Sequence, residues 1–496
     1  MMKNLKGFCV IPLLLLLLCA LVACAPCKHK DAEWEVVTEA TCTVAGTKHK
    51  VCADCGEVVE TKQYETGHVY QAGYCKFCGR AQYDNQYFVY EEVVVNGEEG
   101  YELVDMGNSK ALAVEIPPLK NGKPILSVAD RAFMGKDITS VHFGKNVQRI
   151  GERAFAECES LETVTFTDTS ELTSLGVAAF EGCVKLKSFA FPAGVTVISA
   201  RLFSGCTALK TVTLHDGIRA LDEEAFADCE AIDYAQENGA KYLGTETAPH
   251  LFLVAATDTS LTSFAVPQDT RIIASGAFSG CAALQSVALP EGLLAIGPYA
   301  FAACTVLENL QFPTTLERID QYAFAECTTL QAVTIPQNVA HIGAHAFDKC
   351  TALSSVFLPT GLRTLGEFAF YMTDVEPVAY GGGLYLGNTQ NPYLVLIGAE
   401  QGATSLTLHA DTAVVADSAL VGSALTSFVG GAGLVTIGVR AFASCYSLAS
   451  VTITPQTGWK TSEIYGQGGI DVSFGDAADN AARLAGIEAY QYWYRS

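Results

Sequence analysis

The stretch Ala277-Phe278-Ser279-Gly280-Cys281, followed by Leu284, Val287, Leu289-Pro290, Leu294 and Ile296-Gly297, decides the fold. The next unit repeats it 23 residues later with Phe301, Cys304, Leu307, Leu310, Phe312-Pro313, Leu316 and Ile319. Its L-x-x-V-x-L segment alternates at the end, as a strand with one buried face does. The Pro that follows each strand stops the ladder. Ala-Phe-x-x-Cys is expected to form a short helical or 3-10 turn on the opposite wall. A unit this small cannot bury its apolar face alone, so the units must stack.

The same phrase extends in both directions. Its phenylalanines are Phe133, Phe155, Phe180, Phe203, Phe226, Phe278, Phe301, Phe324, Phe347, Phe370 and Phe442, with Leu420 at one equivalent position. Its cysteines are Cys158, Cys183, Cys206, Cys229, Cys281, Cys304, Cys327, Cys350 and Cys445. Self-similarity at this period is the signature of a solenoid. Stacked at about 4.8 Å, the coils predict a parallel ladder on the order of 55 Å long. The cysteines are odd in number and point in parallel into the core, which is poor bridging geometry. They are expected to be small buried fillers, and the phenylalanines a core row.

The expected organisation is a signal segment at 1–23, a small Cys/His module at 24–80, an N-terminal β cap at 81–121, repeats at 122–454 and a C-terminal cap at 455–496. Longer inserts replace an ordinary coil near 236–276 and 379–418. Tyr242-Leu243-Gly244 with Pro249 in the first recurs as Tyr385-Leu386-Gly387 with Pro392 in the second, which points to an internal duplication. Asn96-Gly97 after Val93-Val94-Val95 is a hairpin turn signal.

The chain has 496 residues, 50% of them hydrophobic and 17% charged, which excludes a disordered chain. Its formal net charge of −22, from 31 Lys and Arg against 53 Asp and Glu, repels phosphate backbones and argues against nucleic-acid binding. No G-x-S-x-G, Walker loop, H-E-x-x-H or dinucleotide fingerprint occurs, so a non-enzymatic role is expected.

Lys3 and Lys6 precede an apolar run from Gly7 to Ala23 that contains Pro12, the pattern of a secretory signal. Its end, Leu21-Val22-Ala23-Cys24, resembles the lipobox of bacterial lipoproteins. The resemblance implies diacylation of Cys24, which becomes the mature N-terminus. Two acyl chains anchor a protein stably on a membrane. The expected location is therefore the extracellular face of the bacterial cell membrane.

Between residues 27 and 78 lie Cys27, His29, Cys42, Cys52, Cys55, His68, Cys75 and Cys78. Two pairs have the form C-x-x-C-G, a spacing that points both thiolates of a tight turn at one ion. Eight candidates make two tetrahedral sets, hence two structural zinc ions. One partition joins Cys52, Cys55, Cys75 and Cys78. The other, which is preferred, joins Cys42, Cys52, Cys55 and His68, leaving Cys27, His29, Cys75 and Cys78. Three disulfides are the alternative outside a cell. The stretch resembles zinc-ribbon-like modules of secreted and surface proteins in Gram-positive anaerobes.

The repeat itself resembles the BspA-like leucine-rich repeat family, whose consensus is close to A-F-x-x-C-x-x-L-x-x-V-x-L-P-x-x-V-x-x-I-G. The expected fold class is a leucine-rich repeat solenoid preceded by a small Cys/His module. The resemblance implies adhesion to a host extracellular or bacterial surface protein or glycan. A structural, envelope-associated protein that binds wall glycan or itself is the rival. The outward strand positions offer the candidate partner surface: Thr163, Thr165, Thr211, Thr213, Ser286, Asn309, Gln311, Thr334, Ser355 and Phe357.

Overall fold

Each coil of the repeat has three walls. The first is the strand predicted from L-x-x-V-x-L. Thr163–Phe166, Ser188–Ala190 and Thr211–Thr213 lie side by side in parallel, with Thr163 opposite Ser188 and Ser188 opposite Thr211. Val164, Phe189 and Val212 are buried and the residues between them are exposed, because successive side chains point to opposite faces. The proline then turns the chain. Leu316, Val339 and Leu362 donate their N–H groups to the carbonyls of Pro313, Pro336 and Pro359 at 3.1–3.2 Å. The second wall is a two-residue strand, such as Ala295–Ile296, Arg318–Ile319, His341–Ile342 and Thr364–Leu365, again parallel from coil to coil.

The third wall corrects the expected helical or 3-10 turn. Ala-Phe-x-x-Cys forms a run of tight turns, and the one α-helix among the described residues is Ala477–Ala485, outside the repeats. Alternate N–H groups leave the coil. Tyr322, Phe324 and Glu326 donate to the carbonyls of Ala344, Ala346 and Asp348 in the next coil at 2.8–2.9 Å. The residues between them close turns within the coil, as Ala325 does on Tyr322 and Cys327 on Phe324. A helix would consume all these donors internally and leave none to join neighbouring coils. Two residues per coil take left-handed backbone angles to allow this, such as Arg153 (φ 50°) and Glu157 (φ 60°). Gly182 (φ 70°), Gly205 (φ 75°) and Gly280 (φ 75°) stand at the second of these positions, where glycine has no steric cost.

Behind this wall the phenylalanines form a buried column. Phe133, Phe155, Phe180, Phe203 and Phe226 stack at 4.8–5.8 Å between ring centroids. Phe278, Phe301, Phe324, Phe347 and Phe370 stack at 5.1–5.3 Å. The column stops between Phe226 and Phe278, and again after Phe370, where the inserts lie. Each insert is a three-stranded antiparallel ribbon: Ala235–Glu237, Ala240–Leu243 and Phe252–Ala256 in the first, Val378–Tyr380, Gly383–Leu386 and Val395–Ala399 in the second. The last strand of each joins the second wall, pairing in parallel with Ile272–Ile273 or Val414–Val415.

The structure is a computed structural model that describes residues 32–38, 46–53, 57–64, 70–71, 74–75, 87–109, 111–462, 469–486 and 490–495. The chain divides into two units, Met1–Gln82 and Tyr83–Ser496. In the second, the hairpin Val89–Val95 and Glu98–Asp105 precedes the coils, and its turn residues Asn96 (φ 52°) and Gly97 (φ 85°) are both left-handed, as a two-residue hairpin requires. Glu98–Asp105 runs parallel to Lys123–Val128 and so covers the first edge of the second wall. At the other end Tyr492–Arg495 pairs antiparallel with Thr436–Ile437. The helix Ala477–Ala485 starts at Asp476, whose carboxylate accepts from the Ala478 N–H at 2.9 Å. Its buried Asn480 donates to the Val451 carbonyl at 2.9 Å. Both ends thus hide strand edges that would otherwise recruit other chains.

In the first unit, Ala32–Thr38, Gly46–Cys52 and Val58–Tyr64 form an antiparallel sheet, and Tyr70–Gln71 pairs with Tyr74–Cys75.

Candidate binding surfaces

The first wall sets the proposed partner residues in rows. Ser140, Thr163, Ser188 and Thr211 face one another across successive parallel strands, and His142 and Thr165 form part of a second row. His142 Nδ1 and Thr165 Oγ1 are 2.8 Å apart. Beyond the first insert, Ser263, Ser286 and Asn309 continue the row, and Ala332 pairs with Ser355 and Thr334 with Phe357. Thr163, Thr165, Thr211, Thr213, Ser286, Asn309, Gln311, Thr334 and Ser355 are exposed, and Phe357 is half-buried. The inserts divide this wall into separate strips, so one unbroken plane does not form. Within a strip the surface is hydroxyl-rich and almost uncharged. It offers hydrogen bonds at the strand spacing, with His142 and Glu115, register partners on adjacent strands, as ionisable groups in the second row.

The second wall holds an arrangement that strand patterning did not foresee. Arg219 meets Glu317 at 3.5 Å, Arg318 meets Asp222 at 3.5 Å and Gln321 donates to Glu223 at 2.8 Å. These contacts join coils nearly a hundred residues apart across the first insert, so the solenoid bends sharply on this side. A crevice of ≈ 450 Å³ opens there, lined by Asp222, Asp320, His341, Asp417 and Tyr492 among others. Burial pushes the Asp320 carboxyl up to about 6 against the opposing pull of Arg318, whose Nε lies 2.8 Å away. Burial likewise raises Asp222 and pushes Asp417 up to about 7, while it lowers His341. His341 Nδ1 and Thr364 Oγ1 are 2.9 Å apart. One guanidinium shared by two carboxylates balances charge inside the bend. The signal for it stands in the sequence: Asp222 and Asp320 occupy the register that Gly151, Gly176, Gly297, Gly343 and Gly366 hold in other coils.

Of the eight metal-ligand candidates, Cys52 and Cys75 are described. Cys52 ends a strand, is buried, and donates its N–H to the Glu57 carbonyl at 3.0 Å, which closes a short loop. Cys75 ends the strand Tyr74–Cys75. Cys27, His29, Cys42, Cys55, His68 and Cys78 lie outside the described residues, as do Cys24 and the signal segment. Among the described residues no group of three or more ligand side chains is placed to hold a metal ion. No helix among them is long and apolar enough to cross a membrane.

A family profile described as the BspA type leucine rich repeat region matches residues 126–246, 255–376 and 400–464, in 6 copies. The chain belongs to this family. The matched residues are more than half of the chain, and the gaps between them fall on the two inserts. None of the curated proteins matches the chain. Among solved structures, a leucine rich cell surface protein from Faecalibacterium prausnitzii is 25% identical over 59% of this chain and 93% of its own, with a TM-score of 0.29. A leucine rich repeat protein from T. pallidum is 24% identical over 46% of this chain and 91% of its own, with a TM-score of 0.31. One from Bacteroides ovatus is 22% identical over 73% of this chain and 92% of its own, with a TM-score of 0.27. Leucine-rich repeat proteins are typically binding proteins, and surface proteins of this BspA-type family are compatible with binding or adhesion.

Proposed function

We propose that this BspA-type repeat protein is a lipid-anchored surface protein whose solenoid holds an extracellular protein partner. The observation that carries the reading is the pair of hydroxyl-bearing rows on the first wall, repeated coil by coil with almost no charge. Such a surface contacts an extended partner through many weak, evenly spaced hydrogen bonds without first stripping ions of water. The −22 net charge keeps the chain from polyanions and narrows the partner class to proteins and neutral glycans. Cys24 carries the lipid in this reading. Cys27, His29, Cys42, Cys52, Cys55, His68, Cys75 and Cys78 hold two structural zinc ions that stabilise a segment too small for a core of its own.

The test is retention of purified chain on immobilised matrix proteins, mucin and wall glycan. Retention on a protein surface, weakened by Thr165→Asp and Thr213→Asp together, is expected. Retention on wall glycan alone would replace adhesion with an envelope-packing role. In the producing cell, Cys24→Ala should move the protein from membrane to medium, and an unchanged distribution would defeat the anchor. Elemental analysis should find about two zinc per chain. Zero zinc, with thiols that react only after reduction, would replace the metal with disulfides.

A further inference from the structure

The hairpin that covers the first coil carries a free edge of its own. Val89–Val95 is the last strand of its sheet, paired on one side with Glu98–Asp105 and on the other with no strand among the described residues. The two-residue turn Asn96-Gly97 closes on Val95 and Glu98, so Glu91, Val93 and Val95 turn their backbone groups into the hairpin. The N–H and C=O groups of Tyr90, Glu92 and Val94 therefore point away from it, and they make no other backbone hydrogen bond among the described residues. Donors and acceptors thus stand along the edge at the two-residue spacing of an extended chain. The outer strands of the two inserts, Ala235–Glu237 and Val378–Tyr380, are three residues each, short enough to be poor templates. Val89–Val95 has seven residues and no proline.

Charge fixes what the edge can receive. Residues 89–105 carry Glu91, Glu92, Glu98, Glu99, Glu102 and Asp105 and no Lys or Arg. Glu91 stands directly opposite Glu102, a like-charge pair that destabilises a hairpin, and no cation meets Glu91 among the described residues. Lys123 lies 3.6 Å from Glu92 and 3.9 Å from Glu99, but all three side chains are exposed and such pairs contribute little. Glu91 and Glu92 point to opposite faces of the sheet, so both faces of an added strand would meet a carboxylate. A second copy of this chain is the wrong occupant. In the antiparallel register that pairs all seven residues with themselves, Glu92 falls opposite Glu92.

We propose that the outer edge of Val89–Val95 takes an extended basic strand of a partner protein, with adjacent Lys or Arg side chains opposite Glu91 and Glu92. The partner's carbonyls would accept from the Tyr90, Glu92 and Val94 N–H groups and its own N–H groups would donate to their carbonyls, the mode of recognition by strand addition. The same glutamates that turn away acidic edges select a cationic one. The site is separate from the hydroxyl rows of the first wall and does not depend on them.

The experiment is fluorescence anisotropy of the full chain with three dye-labelled peptides. They are Thr-Val-Lys-Lys-Val-Tyr-Thr, the same peptide with Glu-Glu for Lys-Lys, and the Lys-Lys peptide with every internal amide N-methylated. The first should bind saturably and the other two at least about tenfold more weakly. Val94→Pro removes one outward N–H at an edge position that tolerates proline, and should weaken the first by at least about tenfold. Glu91→Gln with Glu92→Gln leaves the backbone untouched and should weaken it in the same direction, so the edge is tested even if the proline variant does not fold. Glu159→Gln with Glu246→Gln removes as much charge at exposed positions away from the edge and should change nothing. Equal binding of the N-methylated peptide would show mere attraction to an acidic protein and overturns the proposal, as does wild-type affinity in the Glu91/Glu92 double variant or binding of no peptide. Retention on matrix proteins, measured on the same preparation, tests the first wall separately. Retention without peptide binding sinks the edge and leaves the wider function standing, whereas peptide binding without retention sinks the first-wall reading alone.

Discussion

The thiol of Cys304 donates to the carbonyl oxygen of Phe278, one coil earlier, at 3.2 Å. Cys327 does the same to Phe301, and Cys350 to Phe324, at 3.2 and 3.1 Å. The cysteine row is therefore more than filler. Each sulfur gives a second hydrogen bond to a buried carbonyl that already accepts the cysteine N–H of its own coil, as Phe278 does from Cys281 at 3.0 Å. Cys281, first in its block, has no preceding coil in register and makes no such bond. Cys304→Ala and Cys281→Ala both remove one buried sulfur, at about 1 kcal/mol each. Only the first also removes a hydrogen bond, the second of the two that the Phe278 carbonyl accepts, so it should cost about 0.5–1 kcal/mol more. Urea unfolding of the two variants under reducing conditions decides this, and equal losses would mean the bonds carry no weight. Burial also pushes the Cys304 and Cys350 thiols up to about 12, so neither should react with a thiol reagent at neutral pH before the chain unfolds.

The period made the core legible. One Phe or one Cys says little, but a residue that returns at one register in coil after coil names its own neighbours above and below. The strand of the first wall was legible for the same reason, through its alternation. The third wall was not, because Ala-Phe-x-x-Cys fits a helical turn as well as it fits a turn run. What decides between them is where alternate N–H groups go, and that depends on the neighbouring coil. Gly182, Gly205 and Gly280 at one left-handed register were the available hint.

The bend at the first insert depends on Arg318. Its guanidinium lies 2.8 Å from Asp320 and 3.5 Å from Asp222, the second contact crossing from one block of coils to the other. Arg318→Ala would leave Asp320 in a buried position with no cation, at a cost of roughly 1–3 kcal/mol after allowance for the partial exposure of Asp222. The blocks should also splay, because Arg219–Glu317 and Gln321–Glu223 remain as exposed or half-exposed contacts. Small-angle scattering should report a larger radius of gyration for Arg318→Ala than for wild type. Arg318→Lys should recover part of the difference, since a point charge still sits between the carboxylates. Identical scattering curves for all three proteins would show that the insert alone sets the bend.

Asp417 makes stability depend on pH in a direction opposite to that of a salt-bridged carboxylate. It accepts from the Tyr492 hydroxyl and the Val439 N–H, both at 3.0 Å. Burial nevertheless dominates, helped by the charge of Glu367, and pushes its carboxyl up to about 7. In the unfolded chain the same group titrates near the ordinary value of about 4. Between those two values the folded state binds the proton that the unfolded state releases. Stability from this group is therefore greatest below pH of about 4, falls as pH rises to about 7, and stays flat above it. Asp417→Asn removes the ionisation while retaining an acceptor oxygen for Val439. The variant should be more stable than wild type at pH 8, by about 1–3 kcal/mol, and the gap should close towards pH 4.5. Asp320, pushed up to about 6, leaves a smaller slope of the same sign in both proteins. Thermal unfolding of the pair at matched ionic strength from pH 4.5 to 8 measures the gap, and one that stays constant across that range would show that Asp417 does not ionise within it.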